Sequence, residues 1–245
     1  MQTEANANRR GFLGRLLGAA AAVGVTSTRA AQAQTKPAAA PAAAGNPADA
    51  WIKEVKGTHR CLFDFPQHSY GTGLLHILNY LNTYNQAYQA TPGSVGAVGT
   101  FYSLGQKSSI SMGFNDAMWD KYALGDYLGL KDKAGKPYTR NVFNNMTPDD
   151  AHILINAFQT PNIPEIAGFM APMSIASLQK MGTKFILCAN ALGAWCLELQ
   201  ARGKGKAPDI EKELRANLLP GVTIVPAMVI AIEKAQAAGI RYNRQ

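Results

Sequence analysis

The chain has 245 residues, 47% hydrophobic and 16% charged, with a formal net charge of +8. Its basic residues are scattered rather than interleaved with aromatic ones, which argues against a nucleic-acid partner. No stretch approaches the roughly 20 apolar residues of a bilayer span, so no stable membrane insertion is expected.

Residues 1–33 read as an export signal. Arg9-Arg10-Gly11-Phe12-Leu13-Gly14 opens it, an apolar run follows from Leu16 to Val25, and Ala31-Gln32-Ala33 supplies small residues for cleavage. Paired arginines before Gly-Phe-Leu match a twin-arginine address, which a receptor reads and which does not anchor. The expected location is therefore periplasmic. Losing the leader's four Arg and one Glu lowers the net charge from +8 to +5. Residues 34–50 are rich in Pro and Ala and predict a disordered linker. Residues 51–245 have the length of one folded domain.

Within that domain, His59 to Phe65 predicts a first strand and Gly71 to Ala90 a helix. Ser94 to Tyr102, small and apolar, predicts a parallel core strand. A polar loop follows, and Asn115 or Asp116 caps a helix through Met118, Tyr122 and Leu128. Residues 131–164 predict a loop-rich insertion holding one short helix after Thr147-Pro148. A long helix is expected from Glu165 to Met181. The strand Lys184 to Leu187 ends in Cys188, and a helix over Ala189–Ala201 follows at once. A short helix spans Asp209 to Leu218, a strand Val222 to Val225, and a last helix Pro226 to Ala238, with Gly239 as its C-cap. Alternating strands and helices predict an α/β fold with a mainly parallel sheet covered on both faces. Ligands of such folds bind at the carboxyl ends of the strands.

Cys188 lies at such an end, over a helix N-terminus. Unpaired N–H groups and the helix dipole there favour an anion, and so a nucleophilic thiolate. The other reading is a small apolar residue packed in a core. Three cysteines leave an odd thiol. Cys188 and Cys196, eight residues apart on one helix, stand about 12 Å apart along its axis, beyond the roughly 7 Å reach of a disulfide. Asp64, acidic at the end of an apolar strand, needs a partner if buried. Asp64, Tyr102 and Asn190 are expected to line the crevice as substrate-binding residues, with helix capping the favoured role for Asn190. Asn115 to Tyr122, with Trp119 at its centre, reads as a capped helix with an aromatic core face. The histidines His59, His68, His76 and His152 show no ligand spacing, so no metal is expected. No phosphate-cradling glycine motif is present, so no nucleotide cofactor is expected.

Several of these runs together resemble the DsrE/DsrF-like, or sulfur-relay, family in its exported branch. They are the strand His59–Phe65, the run Met181 to Leu192 through Cys188, the tail Gly221 to Met228, and Gln236 to Tyr242. The resemblance implies a flavodoxin-like three-layer sandwich of about five strands and a homo-oligomer. It also implies that Cys188, in the matching position, carries sulfur as a persulfide. Its partners would be a sulfur donor or acceptor protein or a small sulfur compound. A non-catalytic binding module with a structural Cys188 is the alternative.

Overall fold

A computed structural model describes residues 46–245. The expected leader lies outside the described residues, as does all but the end of the expected linker. That linker stops sooner than its composition suggests. Pro47–Glu54 is a 3-10 helix: Asn46 accepts the Ala48 N–H at 2.9 Å, a proline opens the first turn, and Trp51 is buried. Proline at that position sacrifices only an N–H that has no helical partner.

Five parallel strands form one sheet: β1 (His59–Asp64), β2 (Val95–Phe101), β3 (Thr183–Cys188), β4 (Val222–Val225) and β5 (Arg241–Arg244). Their order is β4-β3-β2-β1-β5. The α/β sandwich expected from the alternation is the architecture found. Its layering follows from the order. The connections β1 to β2, β2 to β3 and β3 to β4 all step the same way across the sheet. Right-handed crossovers therefore put their helices on one face. Those helices include α1 (Thr72–Gln86), the pair α5 (Ile166–Met173) and α6 (Ile175–Lys180), and the pair α7 (Ala189–Ala201) and α8 (Ala207–Ala216). Only the return from β4 to β5 crosses the other face, through α9 (Met228–Ala237).

The two faces carry separate cores. Phe63, Ala97, Phe101, Phe185 and Leu187 face the larger one, with α1 and α7. Leu62, Val98, Ile186, Cys188 and Val225 alternate with them and face the smaller one, with Trp51, Met228 and Ala231. Gly99 makes room on the larger side: a Cβ there would lie 2.5 Å from the Phe185 ring. That ring stacks on Phe101, with centroids 5.1 Å apart.

Several expected elements change on folding. The helix predicted from Asn115 to Leu128 divides into α2 (Asp116–Lys121) and α3 (Leu124–Leu128), because Ala123 adopts a left-handed conformation, φ 51°. Asn115 is the cap, accepting the Met118 N–H at 3.2 Å, while Asp116 accepts the Asn141 N–H instead. Trp119 is fully buried and donates to the Ser111 carbonyl, as a core residue does. The helix predicted over 165–181 breaks at Ser174. Pro172 lacks an N–H, and the chain restarts with the Ser174 hydroxyl accepting the Ser177 N–H at 3.3 Å. The polar loop after β2 ends in a 3-10 turn, Ser109–Gly113.

The 131–164 insertion is part of the core rather than a loose flap. Val142 and Phe143 are fully buried, and the Asn141 amide donates to the carbonyls of Met112 and Phe114. Asp150 ties it together, accepting from Tyr138, from Arg140 and twice from Thr147, at 2.6–2.9 Å. Burial opposes ionisation of this carboxyl, but the bonds from Tyr138, Arg140 and Thr147 outweigh it and hold its pKa below the usual carboxylate value. The insertion's helix, α4 (Ala151–Phe158), follows directly.

Candidate functional site

Cys188 is both the last residue of β3 and the N-cap of α7. The local sequence explains this double role. Phe185, Ile186 and Leu187 are apolar on both faces and extend as a buried parallel strand. Ala189, Ala191 and Leu192 are good helix formers that begin at once. The residue between them keeps an extended backbone, φ −79° and ψ 120°, as a cap does.

Two backbone amides converge on the sulfur. The Ala191 N–H, in the first turn of α7, donates to Sγ with the nitrogen at 3.4 Å. The Met228 N–H, the first residue of α9, donates from the other side at 3.3 Å. The Asn190 N–H donates to the Pro226 carbonyl at 3.2 Å, which ties the two helix starts together. The thiol thus sits where the positive ends of two helix dipoles meet. An anion there finds donors already aimed at it. Cys188 is 5% exposed and belongs to the smaller core, against which Tyr102 packs.

Tyr102 follows β2 one residue beyond the Phe101–Leu187 pair, beside Cys188. Its backbone is fixed from both sides. Its N–H donates to Ser109 Oγ at 3.1 Å, and its carbonyl accepts from the Ser108 hydroxyl at 2.9 Å. Ser103 then turns through φ 84°, a conformation costly for a residue with a Cβ. Burial pushes the Tyr102 phenol well above its usual pKa, and the adjacent Asp64 carboxyl adds to that. The group stays protonated at neutral pH.

Asp64 ends β1 on the same sheet face and is buried. Thr100 donates to its Oδ1 at 3.3 Å and Tyr242 to its Oδ2 at 2.7 Å. That bond to Asp64, more than burial, raises the Tyr242 phenol pKa. Asp64 therefore finds hydroxyl partners on β2 and β5. It lies two strands from Cys188, about 10 Å across the sheet, and is tied to the thiol's surroundings through Tyr102.

The strand ends thus bring Cys188 and Tyr102 together, with Asp64 one step further along the same face. Asn190 stands apart. It is exposed in the first turn of α7, and the cap position it was expected to take belongs to Cys188. The residue missed in the sequence is Met228. Pro226-Ala227-Met228 follows the end of a strand, but nothing in its composition shows that a backbone amide there reaches the sulfur. Tyr242 and Thr100 were also missed, since an aspartate's hydroxyl partners on distant strands leave no local pattern.

The other two cysteines are unlike Cys188. All three thiols are free and buried. Burial pushes Cys61 up to about 11 and Cys196 up to about 12, and neither sits at a helix start. His68, buried in the loop after β1, accepts the Tyr70 N–H on Nδ1. Burial lowers its pKa to about 4, so it stays neutral. His76 instead bonds Gln245 at the far side of α1. No protein-family model, curated protein or solved structure matches the chain.

Proposed function

We propose that this chain is a DsrE-like sulfur carrier, exported to the periplasm through the twin-arginine route and working as a homo-oligomer, with Cys188 as its sulfur-bearing residue. The observation that carries the reading is the pair of backbone N–H groups, from Ala191 and Met228, directed at one sulfur. In the proposed step the Cys188 thiolate attacks the outer sulfur of a persulfide donor. A new S–S bond forms to Cys188, the donor's S–S bond breaks, and the donor leaves as a thiolate. No external oxidant or reductant is consumed, and the two amides are directed at the attacking sulfur. Tyr102 walls the thiol, and Asp64 holds the polar edge of the same face.

A second reading rests on the 5% exposure of Cys188. In it the sulfur only caps α7 and pins α9, and the strand ends bind a small ligand or a partner segment. The two readings separate on one experiment. Native protein is incubated with a small persulfide donor and weighed intact, beside a Cys188→Ser variant. The carrier reading requires a reducible sulfur increment in the parent and none in the variant. Equal loading of both would remove Cys188 from the chemistry.

A further inference from the structure

The opposite edge of the molecule holds a groove that the Cys188 reading does not use. It has a volume of about 580 Å3 and lies between α1 and the edge strand β5, with Phe63 as its floor. Such a volume is in the range of a binding site.

One wall is aromatic. Tyr80, Tyr84 and Tyr88 follow one another at four-residue spacing, with ring centroids 5.0 and 5.4 Å apart. Tyr88 is 72% exposed. The helix that carries the first two, TGLLHILNYLNTYNQ, has no charged residue. A face depleted of charge and rich in tyrosine has the composition of an interface centre rather than of ordinary surface.

The other wall is a free strand edge. β5 ends the sheet, and all four of its residues are exposed. The Gln245 N–H points inward, to the Asp64 carbonyl at 2.9 Å. Backbone groups alternate in direction along a strand, so those of Tyr242 and Arg244 point outward. Among the described residues nothing pairs with them. Four residues of extended chain rise about 13 Å, close to the length of the tyrosine row.

Charge selects the occupant. The residues lining the groove include Arg244 and no Asp or Glu, and the register puts the Arg244 side chain on the Asp64 face of the sheet. A strand added to β5 would alternate its side chains between the two sheet faces. Those on one face meet Tyr80 and Tyr84, and those on the other meet Arg244, the neighbour of Asp64.

We infer that this groove binds an extended peptide segment of a partner protein, in which apolar and acidic residues alternate, as a sixth strand on β5. Backbone bonds to Tyr242 and Arg244 hold it, the tyrosines take its apolar side chains, and Arg244 takes its acidic ones.

The test uses the full chain and capped hexapeptides in which aspartate alternates with valine, leucine or phenylalanine. Binding is read by fluorescence polarisation and by hydrogen exchange of single amides. The expected result is saturable binding that slows exchange at the Tyr242 and Arg244 amides. Tyr84→Ala should weaken it by about tenfold or more, as truncation of a central aromatic does. N-methylation of alternate peptide amides should abolish binding in one phase only, a control that leaves the protein unaltered. Lysine-for-aspartate peptides should bind more weakly, and Arg244→Gln should narrow that difference. Absence of protection at Tyr242 and Arg244 with every peptide would overturn the inference. Equal affinity for N-methylated peptides of either phase would overturn it too, and would leave a side-chain groove for small molecules.

Discussion

Replacing Cys188 separates its chemistry from its structural role, because serine and alanine differ in what they leave behind. Serine keeps an acceptor at the N-cap, so the Ala191 and Met228 amides stay paired after a small shift. Alanine strands both. Losing a cap acceptor costs about 1 kcal/mol, less for a weak acceptor such as sulfur. The Met228 amide is buried, and an unpaired buried N–H costs about 1–3 kcal/mol. Cys188→Ala should therefore lose about 2–3 kcal/mol, and Cys188→Ser less than about 1. For a domain of this size the alanine variant should melt about 4–12 °C lower. Urea unfolding followed by tryptophan fluorescence reads this directly, since Trp51, Trp119 and Trp195 are all buried. An alanine variant within about 0.5 kcal/mol of the parent would show that the sulfur does not hold the two helix starts.

Other perturbations probe the surroundings. At pH 7.5 a thiol at about 11 is ionised about once in 3,000 and one at about 12 about once in 30,000. Alkylation mapped by mass spectrometry should therefore find Cys61 and Cys196 nearly inert in the native state, their rates rising about tenfold per pH unit. Fast labelling of either would contradict their environments. Asp150→Asn should cost about 2–4 kcal/mol, because the new amide turns donors toward Arg140 and Tyr138. The depressed native pKa of Asp150 gives stability that is fully present above the usual aspartate value and is lost as pH falls through the native one. The parent should thus lose stability on acidification that the variant has already lost, and parallel pH–stability curves would refute the clamp. Gly99→Ala places a Cβ 2.5 Å from Phe185 and should cost about 1–3 kcal/mol by overpacking. A neutral result in thermal unfolding would show that the Phe101–Phe185 stack yields easily.

The parts legible in sequence were those fixed by local chemistry. The strand ending at Cys188 and the helix over Ala189–Ala201 stand at the expected residues, because an unbroken apolar run meets an alanine-rich helix start. Gly239 adopts φ 79° at the end of α9, as a C-capping glycine does. What escaped depends on long-range pairing. Arg241–Arg244 has neither apolar alternation nor burial, and is a strand only because β1 offers its edge. The breaks at Ala123 and Ser174 answer to packing and to Pro172, which a helical period read alone overrides. At the site, the position of Cys188 could be read from sequence, but the Met228 amide could not. A backbone donor forty residues away carries no residue-type signal.

The most direct measurement is the intact mass of the protein isolated from cell envelopes without reductant, taken before and after reduction, beside Cys188→Ser. The carrier account predicts a reducible increment of one or more sulfur atoms in the parent and none in the serine variant. An unmodified parent that also stays unmodified after exposure to a persulfide donor would contradict it and leave Cys188 as a cap.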